Sequence, residues 1–330
     1  LSWGATGTTD IGLMAQTVLS GQAPVTPLLL AGMGMLMVGF GFKVAAMPFH
    51  MWTPDAYDGA PTPVTSLMST GVKAAAFASF IRVFMVGFGG AIEQWQKIGF
   101  FIAAVTMVGA NLIAMTEGSL KRMLAYSSIA HAGYLLVAVL AAGESGAAAF
   151  LFYLLVYTLM TAGAFAILIA NSREATGQER VSLEDWAGFA REKPVLAGLF
   201  AVFLLSLAGF PLTAGFLGKL YILRAAVESG LTQLAVILVL SSLVSYFYYL
   251  RVIVVMYMTP ARVAGEHRAA RLPSPAMAGV VVAALLVVGL FFAGNWPMGW
   301  AQRSAATLWQ EAGTAGTAPA SASAPVARVP

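Results

Sequence analysis

The constraint that decides most about this chain is a series of eight long, almost uninterrupted apolar runs. They cover roughly residues 27–52, 62–88, 97–116, 121–142, 146–170, 195–227, 231–258 and 276–300. A helix of about 20 residues crosses the roughly 30 Å of bilayer hydrocarbon, so each run is long enough to span a membrane. Membrane strands are shorter and alternate in polarity, which these runs do not. We therefore predict an all-α integral membrane protein, a multi-span bundle of about eight transmembrane helices.

The bundle is predicted to occupy residues 27–300, with a segment of different composition on each side. Residues 1–26 mix Gly, Thr, Ser and Pro, which indicates a loop with a short amphipathic piece. Residues 301–330 form a C-terminal segment, and its Ala/Pro/Ser-rich end from 312 onward is predicted to be a disordered tail. The chain begins at Leu1 without an initiating methionine or a signal peptide pattern, so we expect it to be truncated.

The composition excludes several kinds of chemistry. The chain has no cysteine, which excludes disulfides and cysteine-bound iron–sulfur clusters. The three histidines, His50, His131 and His267, are too scattered to predict a metal site, and we find no phosphate-binding glycine loop. A net charge of +4 over 330 residues gives no reason to expect nucleic acid as a partner. We expect no cofactor in this chain.

Charged residues are distributed unevenly between alternate loops. One set of loops is basic and contains Lys121, Arg122, the stretch 173–193, Arg262, Arg268 and Arg271. The loops between them contain Glu93, Glu144 and Glu228. By the positive-inside rule the basic loops, and the loop predicted at 53–61, face the cytoplasm. We interpret Lys121 and Arg122 as anchors at the membrane surface of a multi-pass protein.

Titratable side chains within the apolar runs need a reason, because a charge near the bilayer centre costs at least a few kcal/mol. The side chains concerned are Lys43, Lys73, His131 and Lys219. Lys73 lies ten residues beyond Pro63, about 15 Å deep if the run is helical. Desolvation disfavours the charged form of lysine, so such groups, joined by water, can load and release protons. The alternative is that each lysine is a snorkelling anchor or a structural ion-pair partner.

Pro48 and Pro211 each fall inside an apolar run. Proline removes a backbone hydrogen bond and usually kinks or breaks a helix, and broken helices mark ion pathways in many transporters. Lys43 precedes Pro48 by five residues, and Lys219 follows Pro211 by eight. A simple packing kink is the other interpretation. We predict two proline-broken helices, each with a lysine close to its break.

Four stretches together carry a family resemblance: GFGFKVAAMPFHMWTPDAYDGAPTPV, LKRMLAYSSIAHAGYLLVA, LSLAGFPLTAGFLGKLYIL and FYYLRV. In this order, over about residues 27 to 300, the chain resembles the subunit N family of the bacterial proton-translocating NADH:quinone oxidoreductase, respiratory complex I. The resemblance implies an antiporter-like inverted-repeat fold, here truncated, in the bacterial inner membrane. It also implies that the N-terminal part of the family's chain is missing.

The resemblance further implies a role for each of the buried titratable residues. Lys43 would be the central pump lysine, Lys73 the connecting lysine, Lys219 the terminal lysine and His131 a member of a water-linked relay. The family's glutamate partner of the pump lysine is absent from this chain, since Asp10 lacks its context. The partners implied are other membrane subunits of complex I, lipid, internal water and protons. NADH, flavin, iron–sulfur and quinone chemistry are expected in other subunits.

Two alternatives stay open beside a redox-coupled proton pump. The first is a subunit of a multisubunit cation/proton antiporter, whose members resemble this fold but usually carry histidine where this chain has Lys73. The TPDAY sequence at residues 53–57 also resembles subunit N more closely. The second is a structural membrane scaffold whose lysines only form ion pairs.

Overall fold

The computed structural model describes residues 1–171, 181–260 and 274–314, with side chains as far as Leu308. The α-helices of the first half are α1 Ser2–Thr6, α2 Ile11–Leu19, α3 Pro27–Val44, α4 Trp52–Gly59, α5 Thr62–Leu67, α6 Lys73–Ile81, α7 Ile92–Thr116, α8 Leu120–Leu140 and α9 Gly143–Ala170. Those of the second half are α10 Phe189–Glu192, α11 Pro194–Ala208, α12 Ala214–Glu228, α13 Thr232–Met258, α14 Ser274–Phe292 and α15 Asn295–Thr314. A π-helical turn, Met68–Val72, joins α5 to α6, and a second one, Arg82–Gly87, follows α6.

Within the described residues, seven helical segments are long and apolar enough to cross a membrane. They are Pro27–Val44, Thr62–Gly87, Gly89–Thr116, Leu120–Leu140, Gly143–Ala170, Thr232–Met258 and Ser274–Phe292. The run predicted at 195–227 instead forms the two shorter helices α11 and α12. The prediction of an all-α, multi-span membrane protein is confirmed, and the sixth apolar run forms two half-helices rather than one span.

Helix α8 lies at the centre of the bundle. Every residue from Ser127 to Leu140 is buried, and α4, α7, α9, α12 and α13 all pack against this helix. The outer helices expose large apolar side chains, such as Phe101 on α7 and Leu243 on α13. In a bilayer that outer surface meets lipid tails, so polar side chains are stable only where they pair inside the bundle. The polar residues of α8 therefore lie at the one place where helices surround them on all sides.

The first helix break lies between α3 and α4. Helix α3 ends at Val44, and Ala45 adopts a left-handed conformation with φ +62°. The backbone N–H of Met47 donates to Thr106 Oγ1 on α7 at 2.9 Å, and Trp52 Nε1 donates to the carbonyl oxygen of Phe42 at 3.1 Å. Neutral side chains thus satisfy backbone groups that the break releases.

The second break lies between α11 and α12. Helix α11 ends at Ala208, followed by Gly209 with φ +87° and Leu212 with φ +73°. The Thr213 side chain then caps α12 by accepting from a backbone N–H. The two half-helices meet so closely that a Cβ atom at Gly215 would overlap the carbonyl oxygen of Ser206. The two half-helices can therefore meet in this geometry only with glycine, which has no Cβ atom, at position 215.

Several helices begin or end at residues other than the ends of the apolar runs. The run 27–52 is not one helix, and the predicted loop at 53–61 is mostly helical as α4, which is short and whose inner face is buried. The run 276–300 stops at Phe292, and a separate helix, α15, follows it. Residues 1–26 contain the two short helices α1 and α2. The backbone of 312–314 is helical, while the rest of the predicted tail lies outside the described residues.

Successive loops around α8 lie at alternate ends of the bundle, as the charge pattern predicts. At one end, the start of α8 pairs with the segment before α10, where Leu120 N donates to Val181 O at 2.7 Å. At the other end, Gln96 Nε2 donates to Leu140 O at 2.9 Å, and Ser229 Oγ donates to Ala141 O at 2.5 Å. The loops before α8 and after α8 therefore lie on opposite sides of the bundle.

Replacing Gly215 by alanine should destabilise the protein by about 1–3 kcal/mol or more, because the new methyl group forces α11 and α12 apart. The measurement is thermal unfolding of the detergent-purified, assembled protein. Gly289→Ala is the matched control, since nothing lies within 4 Å of a Cβ atom built at Gly289. Equal melting temperatures for both variants would contradict the close packing of the two half-helices.

Candidate functional site

Lys73 is buried at the point where the π-helical turn Met68–Val72 passes into α6. Its Nζ donates to the carbonyl oxygen of Ser128 at 2.7 Å and to Ser128 Oγ at 2.5 Å. The hydroxyl of Tyr157, on α9, lies 2.9 Å from the same Oγ atom. π-helical turns often occur at functional sites, because the wider turn redirects the side chains that follow it. Here Lys73 points at the central helix rather than at lipid.

His131 occupies the middle of α8 and contacts tyrosines on two neighbouring helices. Its Nδ1 lies 2.8 Å from the hydroxyl of Tyr153 on α9, and its Nε2 lies 3.3 Å from the hydroxyl of Tyr249 on α13. The Tyr249 hydroxyl also forms a short hydrogen bond with Ser127 Oγ. Since an imidazole ring has two nitrogens that exchange donor and acceptor roles, this arrangement lets His131 receive a proton on one side and release it on the other.

Lys219 is buried on α12 and directs its amino group at the end of the other half-helix. Its Nζ donates to the carbonyl oxygens of Leu207 at 3.0 Å and Ala208 at 2.8 Å. These carbonyls belong to the last turn of α11, where helix carbonyls lack intrahelical partners and the helix dipole favours a cation. The same amino group lies 4.8 Å from the ring centre of Tyr134, which adds a cation–π contact.

These groups form one buried row across the bundle. Ser128, His131 and Tyr134 follow each other at three-residue intervals on α8, which is about 4.5 Å of axial rise per step. The ring centre of His131 lies 5.2 Å from that of Tyr134. Lys73 contacts the Ser128 end of the row, and Lys219 contacts the Tyr134 end. The structure thus places a histidine and hydroxyl-bearing residues between the two lysines.

A side branch of the row ends at Asn111 on α7. The Asn111 amide nitrogen lies 3.2 Å from the Tyr134 hydroxyl and donates to Met107 O at 2.7 Å. Its Oδ1 accepts from the Tyr248 hydroxyl at 2.8 Å. Asn111 therefore fixes both phenols and holds Tyr134 in the orientation that it presents to Lys219.

Lys43 does not join this row. Its side chain is exposed near the end of α3, and among the described residues no hydrogen bond or ion pair connects it to Lys73. Lys43 is predicted to be equivalent to Lys73 and Lys219, but of these three lysines only Lys73 and Lys219 are buried. Pro48 and Pro211 both lie between helices, as described above.

The tyrosines and serines that contact the titratable residues are not among the predicted site residues. They are Ser127, Ser128, Tyr134, Tyr153, Tyr157 and Tyr249. One signal was available, because YSSIAHAGY places polar residues at short intervals within an otherwise apolar helix. Nothing comparable distinguishes the tyrosines of α9 and α13 from other aromatic residues of the bundle. The prediction of Lys121 as a surface anchor was wrong, since its side chain is buried.

The fold is that of a family of multi-span membrane subunits. The family model described as NADH:quinone oxidoreductase/Mrp antiporter, TM, matches residues 1–245, so the chain belongs to this family. The chain is 50% identical over 311 residues to NADH-quinone oxidoreductase subunit N 1 of Sorangium cellulosum (strain So ce56), covering 90% of this chain and 60% of that protein. It is 46% identical over 260 residues to subunit N of Trichlorobacter lovleyi, covering 79% of this chain and 53% of that protein.

Solved structures agree with this assignment. A chain of "Respiratory complex I from Thermus thermophilus with bound Aureothin" is 38% identical with a TM-score of 0.75, covering 90% of this chain and 62% of that one. A chain of the Mrp complex from Dietzia sp. DQ12-45-1b has a TM-score of 0.79 at 22% identity, which supports the fold alone, and covers 94% of this chain and 64% of that one. The chain spans somewhat more than half the length of the relatives named above. With its apolar helices and bacterial relatives, it is a multi-pass protein of the bacterial inner membrane.

The Asn111 branch predicts a measurable coupling between side chains. Asn111→Leu removes the acceptor of the buried Tyr248 hydroxyl, so it should cost about 1–3 kcal/mol of stability. Tyr248→Phe removes the other partner, and the double variant should be less unstable than the sum of the two single variants by at least about 0.5 kcal/mol. Thermal or denaturant unfolding of the four proteins in detergent gives this difference. Strict additivity would show that the Asn111–Tyr248 bond does not form.

Proposed function

We propose that this chain is the proton-translocating subunit N of a respiratory NADH:quinone oxidoreductase. The observation that supports this best is the buried row of groups from Lys73 through His131 to Lys219, in which hydrogen bonds alternate with ring contacts. Membrane interiors exclude isolated polar groups, so a row of this length within a bundle needs a purpose beyond stability. Proton transfer uses lysine, histidine and hydroxyl groups of this kind, because each of them binds or passes a proton.

In this proposal the proton moves between the two lysines. A neutral Lys73 amine accepts a proton and becomes an ammonium ion, which the Ser128 oxygens stabilise. The proton then passes to His131 through hydroxyl groups and internal water, and finally to a neutral Lys219 amine. The carbonyls of Leu207 and Ala208 hold the resulting Lys219 ammonium until it releases its proton on the opposite side.

Electrostatic repulsion couples the protonation of the two lysines in this proposal. Two positive charges in a medium of low dielectric constant repel each other, so a proton on Lys73 disfavours a proton on Lys219. A charge change at one end of the row therefore drives proton release at the other end. In this proposal Lys43, exposed at the end of α3, receives the driving signal from an acidic group that is not part of this sequence, and neighbouring membrane subunits of the complex deliver it.

The energy for pumping comes, in this proposal, from redox chemistry elsewhere in the complex. NADH, flavin, iron–sulfur clusters and quinone belong to other subunits, and this chain contributes no redox centre. Its partners are the other membrane subunits of complex I, the lipid bilayer, and the protons and internal water of the row. Nucleic acid is not among them. The direction of proton movement is from the cytoplasm to the outside.

Two observations favour this function over its alternatives. A cation/proton antiporter subunit shares the fold, but the relatives at 46–50% identity carry the name subunit N, whereas the Mrp neighbour is 22% identical. A structural scaffold would pair its buried lysines with carboxylates. Lys73 and Lys219 instead contact a hydroxyl and backbone carbonyls, which allow each amine to lose its proton without leaving a buried carboxylate unpaired.

Lys73→Met and Lys219→Met test the function directly. Methionine preserves the length and apolar stem of the side chain but carries no proton, so both variants should lose NADH-driven proton transport in the assembled complex. The measurement is NADH-driven acidification of inverted membrane vesicles containing the full-length protein, with assembly checked on a native gel. Lys97→Met, which changes an exposed lysine of α7, is the control and should pump normally. Normal pumping by both buried-lysine variants would reject the proposed function.

A further inference from the structure

Lys121 is the second residue of α8. Its burial is predicted neither by its place at the end of the apolar run nor by the charge pattern of the loops. Its side chain is 1% exposed, although the residue lies beside the loop at the end of the bundle. Its Nζ donates to the carbonyl oxygen of Ala60 at 2.5 Å. Ala60 is the residue that caps the C-terminus of α4, so the lysine satisfies a carbonyl at the negative end of that helix. A snorkelling lysine would instead extend its amino group into water.

Helix α4 is the second half of the first broken helix, and α8 holds it at several points. Arg122 Nη1 forms an ion pair with Asp55 Oδ1 at 2.7 Å, and Ser119 Oγ donates to Asp58 Oδ1 at 3.3 Å. The Asp55 side chain is 78% exposed, so this ion pair contributes at most about 1 kcal/mol. The charge-assisted bond of Lys121 is the stronger connection, because the lysine is 1% exposed and its ammonium group is largely shielded from water.

Helix α4 in turn reaches the row described above. Tyr57, on the inner face of α4, is buried and faces the Ser128 side chain. Its carbonyl oxygen accepts from Thr65 Oγ1 at 2.8 Å. This bond joins α4 to α5, the first part of the span Thr62–Gly87 that carries Lys73. Lys121 and Ser128 are seven residues apart on α8, about 10 Å along the axis. Helix α4 therefore covers the space between the end of the bundle and the Lys73 end of the row.

We propose that Lys121 is a positioning residue that docks α4 and thereby closes the Lys73 end of the row against the aqueous phase. The inference rests on the proposed proton-translocating function and adds a new role to it. Lys121 does not carry the transported proton; its ammonium group holds the end of α4, and α4 holds Tyr57 against Ser128. When that bond is missing, α4 loosens, water reaches Lys73 outside the pumping cycle, and protons flow back through the row.

The test compares Lys121→Met and Lys121→Arg in the full-length protein within the assembled complex. Methionine retains the apolar stem without a donor, whereas arginine retains a charged donor for the Ala60 carbonyl. Three quantities are measured in inverted vesicles: the rate of NADH oxidation, the protons transported per NADH, and the decay of an imposed pH gradient without NADH. Lys97→Met is again the matched control, and Asp55→Asn removes only the exposed ion pair.

We expect Lys121→Met to transport fewer protons per NADH and to dissipate an imposed gradient faster than wild type. Lys121→Arg should restore both quantities at least in part, and Asp55→Asn should resemble the control. A Lys121→Met complex with wild-type stoichiometry and decay would overturn the inference, as would a reduced amount of complex whose remaining copies couple normally. If Lys121→Met prevents assembly altogether, the shorter, uncharged Lys121→Gln takes its place: a leak in its assembled complex supports the proposal, and wild-type stoichiometry and decay there reject it.

The same experiment separates this inference from the function on which it rests. Lys219→Met is assayed beside the Lys121 variants. Loss of pumping in Lys219→Met with normal coupling in Lys121→Met rejects only the role of Lys121. Normal pumping in both Lys219→Met and Lys73→Met rejects the proposed function itself, whatever the Lys121 variants show.

Discussion

The interaction on which the rest of this structure depends is the bond between Lys219 and the carbonyl end of α11. In hydrocarbon no water is present to satisfy the last carbonyls of a helix, so a helix can stop inside the bundle only where another group donates to them. Lys219 donates to the Leu207 and Ala208 carbonyls, and its position near the start of α12 requires the close approach that Gly215 permits. The break, the glycine and the buried lysine are therefore one arrangement, since Gly215 permits the close approach and Lys219 donates to carbonyls at the end of α11.

The same requirement explains why the polar residues gather on α8. Outer helices face lipid on one side, where a hydroxyl or an imidazole finds no partner, whereas α8 is enclosed by five other helices. Ser128, His131 and Tyr134 consequently obtain partners from α6, α9 and α7. A chain of hydrogen bonds in this environment is stronger per bond than in water, and leaving any member unpaired is costly. Desolvation therefore keeps the members of the row paired with one another. It also disfavours the charged forms of the two lysines.

The sequence predicts much of this architecture because membrane spans, prolines and buried lysines all give strong local signals. It does not predict α4, since eight residues containing Pro54, Asp55 and Asp58 have the composition of a loop and become helical only by packing against α8. Lys121 is misjudged for a related reason: linear distance from a loop gives depth along the membrane, but burial is decided by a neighbouring helix. The tyrosines on α9 and α13 give no sequence signal, because their roles arise only from contacts with His131.

The two helix breaks differ in chemistry, and that difference bears on how a proton pump can work. At the first break neutral groups, Thr106 and Trp52, satisfy the backbone, and Lys43 lies outside the buried row. At the second break the donor is titratable, so gaining or losing a proton changes the strength of the bonds that hold α11 and α12 together. Protonation of Lys219 and the geometry of its broken helix must then change together. In the proposed cycle, a neutral donor would keep the geometry of the break constant, whereas an ammonium group would couple that geometry to the gain and loss of a proton.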